Sequence, residues 1–175
     1  MIKTIETDRL ALRAMTEADD DALLSLLMDS RIKETYMIPD FPDADAALKM
    51  ARRYEALSQE PDRFVLGIAK DGTVIGLINE VDKTADAIEI GYAFRPDCWN
   101  RGYATEALQA VIPALLADGW QTVTAGYFEE NAASGRVMEK AGMTRTDRSE
   151  TVTWRGKEHR CIYYACGPGA EGGIQ

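Results

Sequence analysis

The chain of 175 residues fits one domain of ordinary size, and its 46% hydrophobic and 28% charged residues argue against a disordered, collagen-like or coiled-coil protein. Its 29 acidic and 20 basic residues give a formal net charge of -9. This balance argues against a nucleic-acid-binding protein and against an anionic membrane surface as partner, and the resulting field favours a cationic partner.

The cysteine and histidine content narrows the chemistry further. Three cysteines without a CxxC pair, Cys98, Cys161 and Cys166, argue against a disulfide framework or a zinc knuckle and favour a reducing compartment. The single histidine, His159, is expected on the surface of a late hairpin, and neither GxSxG nor HExxH occurs. No run approaches ~18 apolar residues, and the start lacks an apolar signal core. We therefore expect a cytoplasmic protein with no metal site and no membrane span.

The first elements in chain order are a strand and two helices. Residues 4–15 alternate loosely between apolar and polar side chains and predict one strand. Thr16, followed three residues later by Asp19, predicts a capping box that starts a helix. A second helix is predicted to begin near Asp43, where apolar residues recur at helical spacing.

The middle of the chain predicts a tight antiparallel hairpin, because FVLGIA and TVIGLINEV flank Asp71 and Gly72. AIEIGYAF predicts a further strand, which ends before Pro96 because proline cannot donate to a ladder. Residues 103–118 then have helical periodicity that stops at Gly119.

Pro113 is expected to kink that helix or to end its first half. TVTAGYF predicts another strand, Asn131 opens a short helix that Gly142 closes, and TVTW and CIYYAC predict a final antiparallel pair. The order β, α, α, β, β, β, α, β, α, β, β lacks the alternation of a doubly wound sheet and predicts a single α+β domain over residues 1–167. The glycine-rich residues 168–175 are expected to form a disordered tail.

The segment AFRPDCWNRGYATEAL carries the first chemical indication. It runs from a strand through a loop with Asn100, Arg101 and Gly102 into a helix that starts near Tyr103. Glycine allows close backbone approach to a ligand, a helix start presents unpaired N–H groups, and arginine adds a charged donor. The loop therefore predicts an anion site suited to phosphate, or alternatively an ordinary strand-to-helix turn. The absence of GxGxxG and GxxxxGK[ST] argues against Rossmann and P-loop sites.

The segment NAASGRVMEKAGM is the second indication, although spacing alone favours an N-cap for Asn131 and a surface hydroxyl for Ser134. The two segments, in this order and at this separation, resemble the GNAT superfamily of N-acetyltransferases. They are more closely similar to its RimJ/RimL-like branch, which acetylates the N-termini of ribosomal proteins. The resemblance covers nearly the whole chain, since ETDRLALRAM is similar to that branch's first strand, T-x-R-L-x-L-R, and VIGLINEV, EIGYAFRP, WNRGYATEA, NAAS and EKAGM follow.

The resemblance implies a GNAT-like fold, a mixed twisted sheet of about six or seven strands flanked by about four helices, and acetyl-CoA as acetyl donor. The superfamily signature Q/R-x-x-G-x-G/A falls on residues 99–104, where Gly102 and Ala104 fit and Trp99 replaces Gln or Arg. Backbone amides of this loop would hold the pyrophosphate, and the strand before it would pair with the pantetheine arm. The cofactor-binding residues implied in this way are Phe94, Arg95, Asn100, Arg101, Gly102, Tyr103, Ala104, Thr105 and Asn131.

The resemblance also implies catalytic residues. Many family members carry a tyrosine that protonates the leaving thiolate, but that slot holds Met138 here, so the role passes to Ser134, as in RimJ/RimL-like enzymes. Glu89 in EIGY corresponds to the general base of the histone-acetylating branch, and Glu80 in INEV is the alternative. Tyr92 either lines the acceptor channel or packs.

The expected function is transfer of an acetyl group from acetyl-CoA to a primary amine by direct attack in a ternary complex, with the oxyanion held by a backbone N–H near Phe94. The acceptor is either a protein N-terminal α-amine or a small molecule such as an amino acid, polyamine, aminosugar or antibiotic. Residues 31–62, with Tyr36, Phe41 and Tyr54, are expected to shape the acceptor site. A non-catalytic acyl-CoA sensor and a partner-binding domain without cofactor are alternatives. The chain is expected to be a monomer or, through its late edge strands, a homodimer.

Overall fold

Eight strands among the described residues form one sheet in the order β1-β2-β3-β4-β5-β6-β8-β7. The structure is a computed structural model that describes Ile2 and residues 4–170. All neighbouring strands are antiparallel except β5 and β6, which are parallel. The strands are β1 (Thr4–Glu6), β2 (Ala11–Arg13), β3 (Val65–Lys70), β4 (Thr73–Lys83), β5 (Ala87–Phe94), β6 (Thr122–Phe128), β7 (Thr144–Trp154) and β8 (Lys157–Cys166). The helices are α1 (Asp20–Met28), α2 (Ser30–Lys33), α3 (Ala44–Gln59), α4 (Tyr103–Ala117) and α5 (Ala132–Lys140).

The predicted α+β class is confirmed, but the numbers of strands and helices differ from those expected. The strand predicted over residues 4–15 is two strands, because Thr7 N–H donates to the Leu10 carbonyl at 2.9 Å and Leu10 N–H donates to Thr7 Oγ1 at 2.9 Å. The four-residue helix α2 is too short to show a hydrophobic period. In the described residues, eight strands and five helices therefore replace about six or seven strands and about four helices.

Two apolar clusters cover opposite faces of the sheet. Helices α4 and α5 pack on one face, where Leu108 and Met138 join Ile90 of β5 in the larger cluster. Helices α1 and α3 cover the other face, where Leu23 joins Ala93 of β5 in the second cluster. Each fully buried leucine, isoleucine or methionine of these clusters stabilises the fold by about 1.5–3 kcal/mol. Strand β5 therefore contributes side chains to both apolar clusters.

The parallel pair β5 and β6 separates part-way along its length. Ladder pairing covers three residues of each strand and ends at Glu89 and Thr124, although β5 continues to Phe94 and β6 to Phe128. Beyond that point β5 remains paired with β4, and β6 remains paired with β8. The facing edges of β5 and β6 therefore leave a gap in the middle of the sheet, where backbone groups are open to a ligand.

The local turn predictions have mixed outcomes. The β3–β4 hairpin is confirmed, with Asp71 and Gly72 at φ values of 49° and 82°. Pro113 lies inside α4 and does not end it, because the helix continues to Ala117.

The expected tail over residues 168–175 is described only in part. Residues 168–170 form a turn, in which Gly169 N–H donates to the Gln121 carbonyl at 3.1 Å. The remainder of that expectation lies outside the described residues.

The described part of the chain has neither a membrane-spanning helix nor a cluster of metal ligands. None of its helices combines the length and apolar character that a bilayer crossing requires. None of its His, Cys, Asp and Glu side chains forms a group of three or more that could hold a metal ion.

Candidate active site

A cavity of about 590 Å³ passes through the sheet where β5 and β6 separate. Residues 91–94 of β5 line one wall, and Gly126 and Tyr127 of β6 line the opposite wall. The starts of α4 and α5 border the cavity on one face of the sheet, and residues of α2 and the turn after it border it on the other face. Its volume lies within the range of small-molecule sites. Two ligands could therefore meet in the gap after approaching from opposite faces.

The loop before α4 presents backbone N–H groups to one end of the cavity. Asn100 and Gly102 adopt left-handed conformations, with φ values of 58° and 80°, and Gly102 is the N-cap of α4. The first intrahelical bond runs from Glu106 N–H to the Gly102 carbonyl at 3.0 Å, so the N–H groups of residues 103–105 precede it. This arrangement suits an anion, because the N–H groups and the helix dipole both carry positive partial charge.

The open edge of β5 offers further backbone donors. Arg95 N–H donates to the Ile75 carbonyl at 2.8 Å, on the β4 side. Because alternate residues of a strand point their N–H groups to opposite sides, the N–H groups of Tyr92 and Phe94 point towards the gap. Trp99 Nε1 donates to the Phe94 carbonyl at 2.8 Å and so ties the loop to this edge. The predicted oxyanion donor, a backbone N–H near Phe94, would point into the gap, and this role stays a prediction.

The structure brings most of the predicted cofactor residues together. Seven of the nine line the cavity, and the side chains of Arg95 and Arg101 do not. Arg95 turns to Asp97, with Nη2 and Oδ2 2.8 Å apart. Arg101 is exposed, and its carbonyl accepts a hydrogen bond from Arg9 Nη1 at 3.1 Å. The seven residues that line the cavity are Phe94, Asn100, Gly102, Tyr103, Ala104, Thr105 and Asn131.

Ser134 forms a hydroxyl pair with Tyr92 inside the cavity, with the two oxygens 2.8 Å apart. The start of α5 fixes Ser134, whose N–H donates to the Asn131 carbonyl at 2.9 Å. Burial raises the pKa of Tyr92 to about 12, although the hydrogen bond with Ser134 acts in the opposite direction. The phenol is therefore protonated at neutral pH and can supply a proton. Met138, which stands in the slot of the family tyrosine, is fully buried in the core and does not line the cavity.

Glu89 lies beside the gap, on the face opposite α4 and α5, but it does not line the cavity. Arg148 Nη1 donates to Glu89 Oε2 at 3.0 Å, and the guanidinium carbon of Arg148 lies 3.7 Å from the centre of the Tyr163 ring. Burial raises the pKa of Glu89, while the charge of Arg148 and its hydrogen bond oppose that rise. Tyr163 pairs with Gly126 of the cavity wall, so this cluster borders the cavity.

Glu80 and His159 have structural positions away from the cavity. Glu80 is 8% exposed, and its Oε1 lies 2.9 Å from Nη1 of Arg63, so the alternative base is a buried carboxylate held in an ion pair. The expected surface position of His159 is wrong, because it is also 8% exposed. Its ring stacks on Phe128 at 4.3 Å between centroids, and its Nδ1 forms a hydrogen bond with the carboxyl group of Glu130. Strand β8 lies between β6 and β7 rather than at an edge.

The end of the cavity near α2 is shaped by Tyr36. Its hydroxyl donates to Asn79 Oδ1 at 2.5 Å, and its ring covers Gly91, where an added Cβ would lie 3.1 Å from that hydroxyl. Of the three aromatic residues expected here, Tyr36 lines the cavity, whereas Phe41 and Tyr54 pack against the second apolar cluster.

Three charged residues of the site were not predicted. Arg136 and Lys140 line the cavity from α5, and their spacing of four residues could have indicated a shared helix face. Arg148 is separated from Glu89 by 59 residues, and no local pattern connects them.

The residues around the gap fit a ligand that carries a diphosphate on a long arm. The loop of residues 100–105 supplies N–H donors, and Arg136 and Lys140 add cationic side chains at the same side of the sheet. The unpaired edge of β5 can bond to amide groups of an extended arm.

Comparison with known proteins agrees with this chemistry. A family model described as an acetyltransferase (GNAT) domain matches residues 9–144. The uncharacterized N-acetyltransferase YoaA of Bacillus subtilis (strain 168) is 29% identical over 150 residues, which cover 83% of this chain and 85% of YoaA. A GNAT-family acetyltransferase from Bacillus anthracis has a TM-score of 0.81 at 23% identity and covers 94% of this chain and 98% of its own. RimL, a ribosomal L7/L12 α-N-protein acetyltransferase in complex with coenzyme A, has a TM-score of 0.80 at 18% identity, covering 96% and 99%.

The predicted resemblance is thereby confirmed, and RimL is among the neighbours in fold. The family draws its acetyl group from acetyl-CoA, so the expected cofactor and the expected class of enzyme, an acetyl-CoA-dependent N-acetyltransferase, are also confirmed. The match spans most of the sheet, the loop before α4 and the whole of α5. The chain belongs to the GNAT acetyltransferase family.

Proposed function

We propose that this enzyme transfers the acetyl group of acetyl-CoA to the α-amine at the N-terminus of a peptide or protein. The observation that carries the proposal is the cavity that opens on both faces of the sheet between β5 and β6. One face has the anion-binding loop, and the other is bordered by the carboxylate of Glu89. Donor and acceptor would therefore meet in the gap from opposite sides.

The donor side would hold acetyl-CoA through the loop of residues 100–105 and the open edge of β5. Bound acetyl-CoA supplies an activated acetyl thioester. The N–H of Phe94 is placed to donate to the thioester oxygen, where preorganised donors stabilise developing charge. Ser134 Oγ, with the Tyr92 hydroxyl behind it at 2.8 Å, is placed to donate a proton to the leaving sulfur.

The acceptor side favours an amine that is easily deprotonated. An α-amine has a pKa of about 7.7–8.0, whereas a lysine side chain has one of about 10.4. Burial raises the pKa of Glu89 and so makes it a stronger base, whereas the bond from Arg148 weakens it. The carboxylate is therefore a modest base. In the proposed step the amine nitrogen bonds to the acetyl carbon as its proton passes to Glu89, the C–S bond breaks, and the sulfur takes a proton from Ser134. Ser134 regains a proton from the Tyr92 hydroxyl, and proton exchange with solvent restores Tyr92 and Glu89.

A small-molecule amine is the second candidate, because the tip of the β7–β8 hairpin restricts the acceptor end. Trp154 Nε1 donates to the Lys33 carbonyl at 2.9 Å, next to the residues of α2 that line the cavity. Arg155 Nη2 lies 2.5 Å from Asp40 Oδ2, and Lys33 Nζ lies 3.3 Å from Asp40 Oδ1. These contacts hold α2 in place and favour a narrow acceptor.

The test is an acceptor panel analysed by mass spectrometry. The purified enzyme and acetyl-CoA are incubated with peptides that have free N-termini, N-terminally blocked peptides that contain lysine, free amino acids, spermidine and an aminosugar. We expect acetylation of the free N-termini and little on the blocked peptides. Acetylation confined to small amines would replace the proposal with the second candidate. Binding of acetyl-CoA without turnover on the whole panel would favour a sensor.

The proposal includes a cytoplasmic location and a chain that is either a monomer or a homodimer. Cys98, Cys161 and Cys166 are free thiols, and free thiols persist in reducing compartments. Strand β7 ends the sheet with mostly exposed side chains, and such an edge can pair with a second copy. Light scattering on the purified protein distinguishes the dimer from a monomer.

A further inference from the structure

The turn between β1 and β2 is bonded to the first turn of α4 through one carboxylate. Glu106 accepts hydrogen bonds from Thr7 Oγ1 at 2.6 Å, from the backbone N–H of Arg9 at 3.0 Å and from Arg9 Nε at 2.6 Å. Although partial burial acts in the opposite direction, the bonds from Thr7 and Arg9 lower the pKa of Glu106. The carboxylate is therefore charged at neutral pH and holds the Arg9 side chain in a fixed orientation.

Arg9 reaches past Glu106 to the loop that precedes α4. Its Nη1 donates to the Arg101 carbonyl at 3.1 Å, and its guanidinium lies 4.7 Å from the centre of the Tyr103 ring. A Cβ added to Gly102 would lie 3.4 Å from Arg9 Nη2. Arg9 therefore contacts three consecutive residues of the loop.

The bond to the Arg101 carbonyl determines where the next N–H points. In a trans peptide the carbonyl and the following N–H point in opposite directions, and the described residues contain no cis peptide. Because the Arg101 carbonyl turns to Arg9, the N–H of Gly102 turns away from Arg9. Gly102 itself lines the cavity, so a ligand there can approach this N–H.

We propose that Arg9, held by Glu106, is a positioning residue that orients the Gly102 N–H towards the diphosphate of acetyl-CoA. This proposal depends on only one part of the proposed function, the binding of acetyl-CoA, and not on the identity of the acceptor. The guanidinium charge is already paired with Glu106, with Nη2 and Oε2 2.5 Å apart, so its contribution is orientation of the loop rather than direct attraction of phosphate.

The test compares a donor that has the diphosphate with one that lacks it. Calorimetry measures the Kd of CoA and of pantetheine for wild type and Arg9→Ala, and kinetics measures KM and kcat for acetyl-CoA and S-acetylpantetheine. We expect the Kd of CoA and the KM of acetyl-CoA to rise about tenfold, as for loss of a charge-assisted bond. The kcat with acetyl-CoA, the Kd of pantetheine and the KM of S-acetylpantetheine should each change by less than about twofold, well below the tenfold effect of losing such a bond.

Arg13→Ala is the matched control. Arg13 forms the same kind of fork, with Nη1 and Nη2 at 2.8 and 2.9 Å from the carboxylate of Asp19 and Nη1 at 3.0 Å from the Ala14 carbonyl. It lies on β2 and has none of these contacts with α4. The control should therefore lower thermal stability without changing the ratio of the two Kd values.

Arg9→Lys separates orientation from charge, because one ammonium cannot bond to Glu106 and to the Arg101 carbonyl with the geometry of the guanidinium fork. We expect it to show the same selective loss as Arg9→Ala, and full rescue by lysine would overturn the proposal. Equal weakening of CoA and pantetheine would overturn it as well. Should Arg9→Ala fail to fold, Glu106→Gln must show the selective loss.

The binding measurements need no acceptor. A protein that acetylates nothing in the panel but shows the selective loss of CoA binding would refute the proposed function and retain this inference.

Discussion

The two ends of the cavity are built in different ways. The donor end is local, since the loop and first turn of α4 supply residues 100–105 within one short segment. The acceptor end is assembled from distant parts of the chain, with α2 between β2 and β3, Glu89 on β5 and Arg148 on β7. At the donor end the N–H groups of residues 103–105 precede the first intrahelical bond, whereas at the acceptor end Arg148 already occupies the carboxylate.

This difference separates binding from catalysis. A preorganised loop can bind acetyl-CoA in the absence of the acceptor, whereas Glu89, which Arg148 contacts through Oε2, would act only when an amine is present. Changes at the donor end should therefore alter the Kd of acetyl-CoA, and changes at the acceptor end should alter kcat.

The largest effect is expected for Glu89→Gln, which removes the proposed base and keeps its shape. We expect kcat to fall about 100-fold or more, as is usual for loss of a general base, with the Kd of acetyl-CoA unchanged. Stopped-flow or coupled assays for CoA release measure the first quantity, and calorimetry measures the second. Glu150→Gln is the control, because Glu150 is the other carboxylate near Arg148, at 3.9 Å. A comparable loss of kcat in both variants would show that the ion-pair cluster, rather than Glu89, matters.

The pH dependence of the same step has a definite sign. Glu89 must be deprotonated to accept a proton, so kcat/KM should fall as the pH falls through its pKa. Burial raises that pKa, so the fall in kcat/KM should begin at higher pH than for an ordinary glutamate. Glu89→Gln should remove this acidic limb of the pH profile. Arg148→Gln removes the charge that opposes the rise, and it should move the limb to still higher pH. A limb that does not respond to Arg148→Gln would assign the titration to another group.

A smaller effect is expected for Gly102→Ala at the donor end. A left-handed conformation costs an alanine about 1–2 kcal/mol, which corresponds to roughly tenfold weaker acetyl-CoA binding if the loop must keep this shape. Gly72→Ala is the matched control, because Gly72 has a φ of 82° in the β3–β4 turn and an added Cβ there meets nothing within 4 Å. Both variants should lose stability, and only Gly102→Ala should lose acetyl-CoA affinity.

The smallest effect is expected for the hydroxyl pair at the centre of the gap. Ser134→Ala and Tyr92→Phe should each lower kcat about fivefold, as for loss of a neutral hydrogen bond. Because the two hydroxyls bond to each other at 2.8 Å, the double variant should lose little more than either single one. Steady-state kinetics on the three variants measures this coupling, and fully additive losses would mean that the hydroxyls act independently.

Sequence patterns predicted most of the residues that line the cavity at the start of α4 and few of those at its other end. Gly102 and residues 103–105 belong to one contiguous motif, so local spacing was sufficient. The contact between Arg9 and Glu106, on which the proposed role of Arg9 rests, follows from no local motif because it joins residues 97 apart. Arg148 reaches Glu89 through the packing of β7 beyond β8, which no pattern of local hydrophobicity encodes.

Prediction of the fold from the sequence has the same limit. The β3–β4 hairpin was predicted because Asp71 and Gly72 determine the turn by themselves. The division of residues 4–15 into two strands depends on a side-chain bond of Thr7, and the buried position of His159 depends on strand order. Both follow from tertiary structure rather than from local propensity.

Hydrogen–deuterium exchange with and without acetyl-CoA tests most directly the claim that donor and acceptor meet in the gap from opposite faces. We predict slower exchange in peptides that cover residues 90–94 and 100–106, where free N–H groups face the cavity, and unchanged exchange in residues 145–150 of β7. Slower exchange confined to α2 and residues 145–150, with none in the loop before α4, would contradict the account.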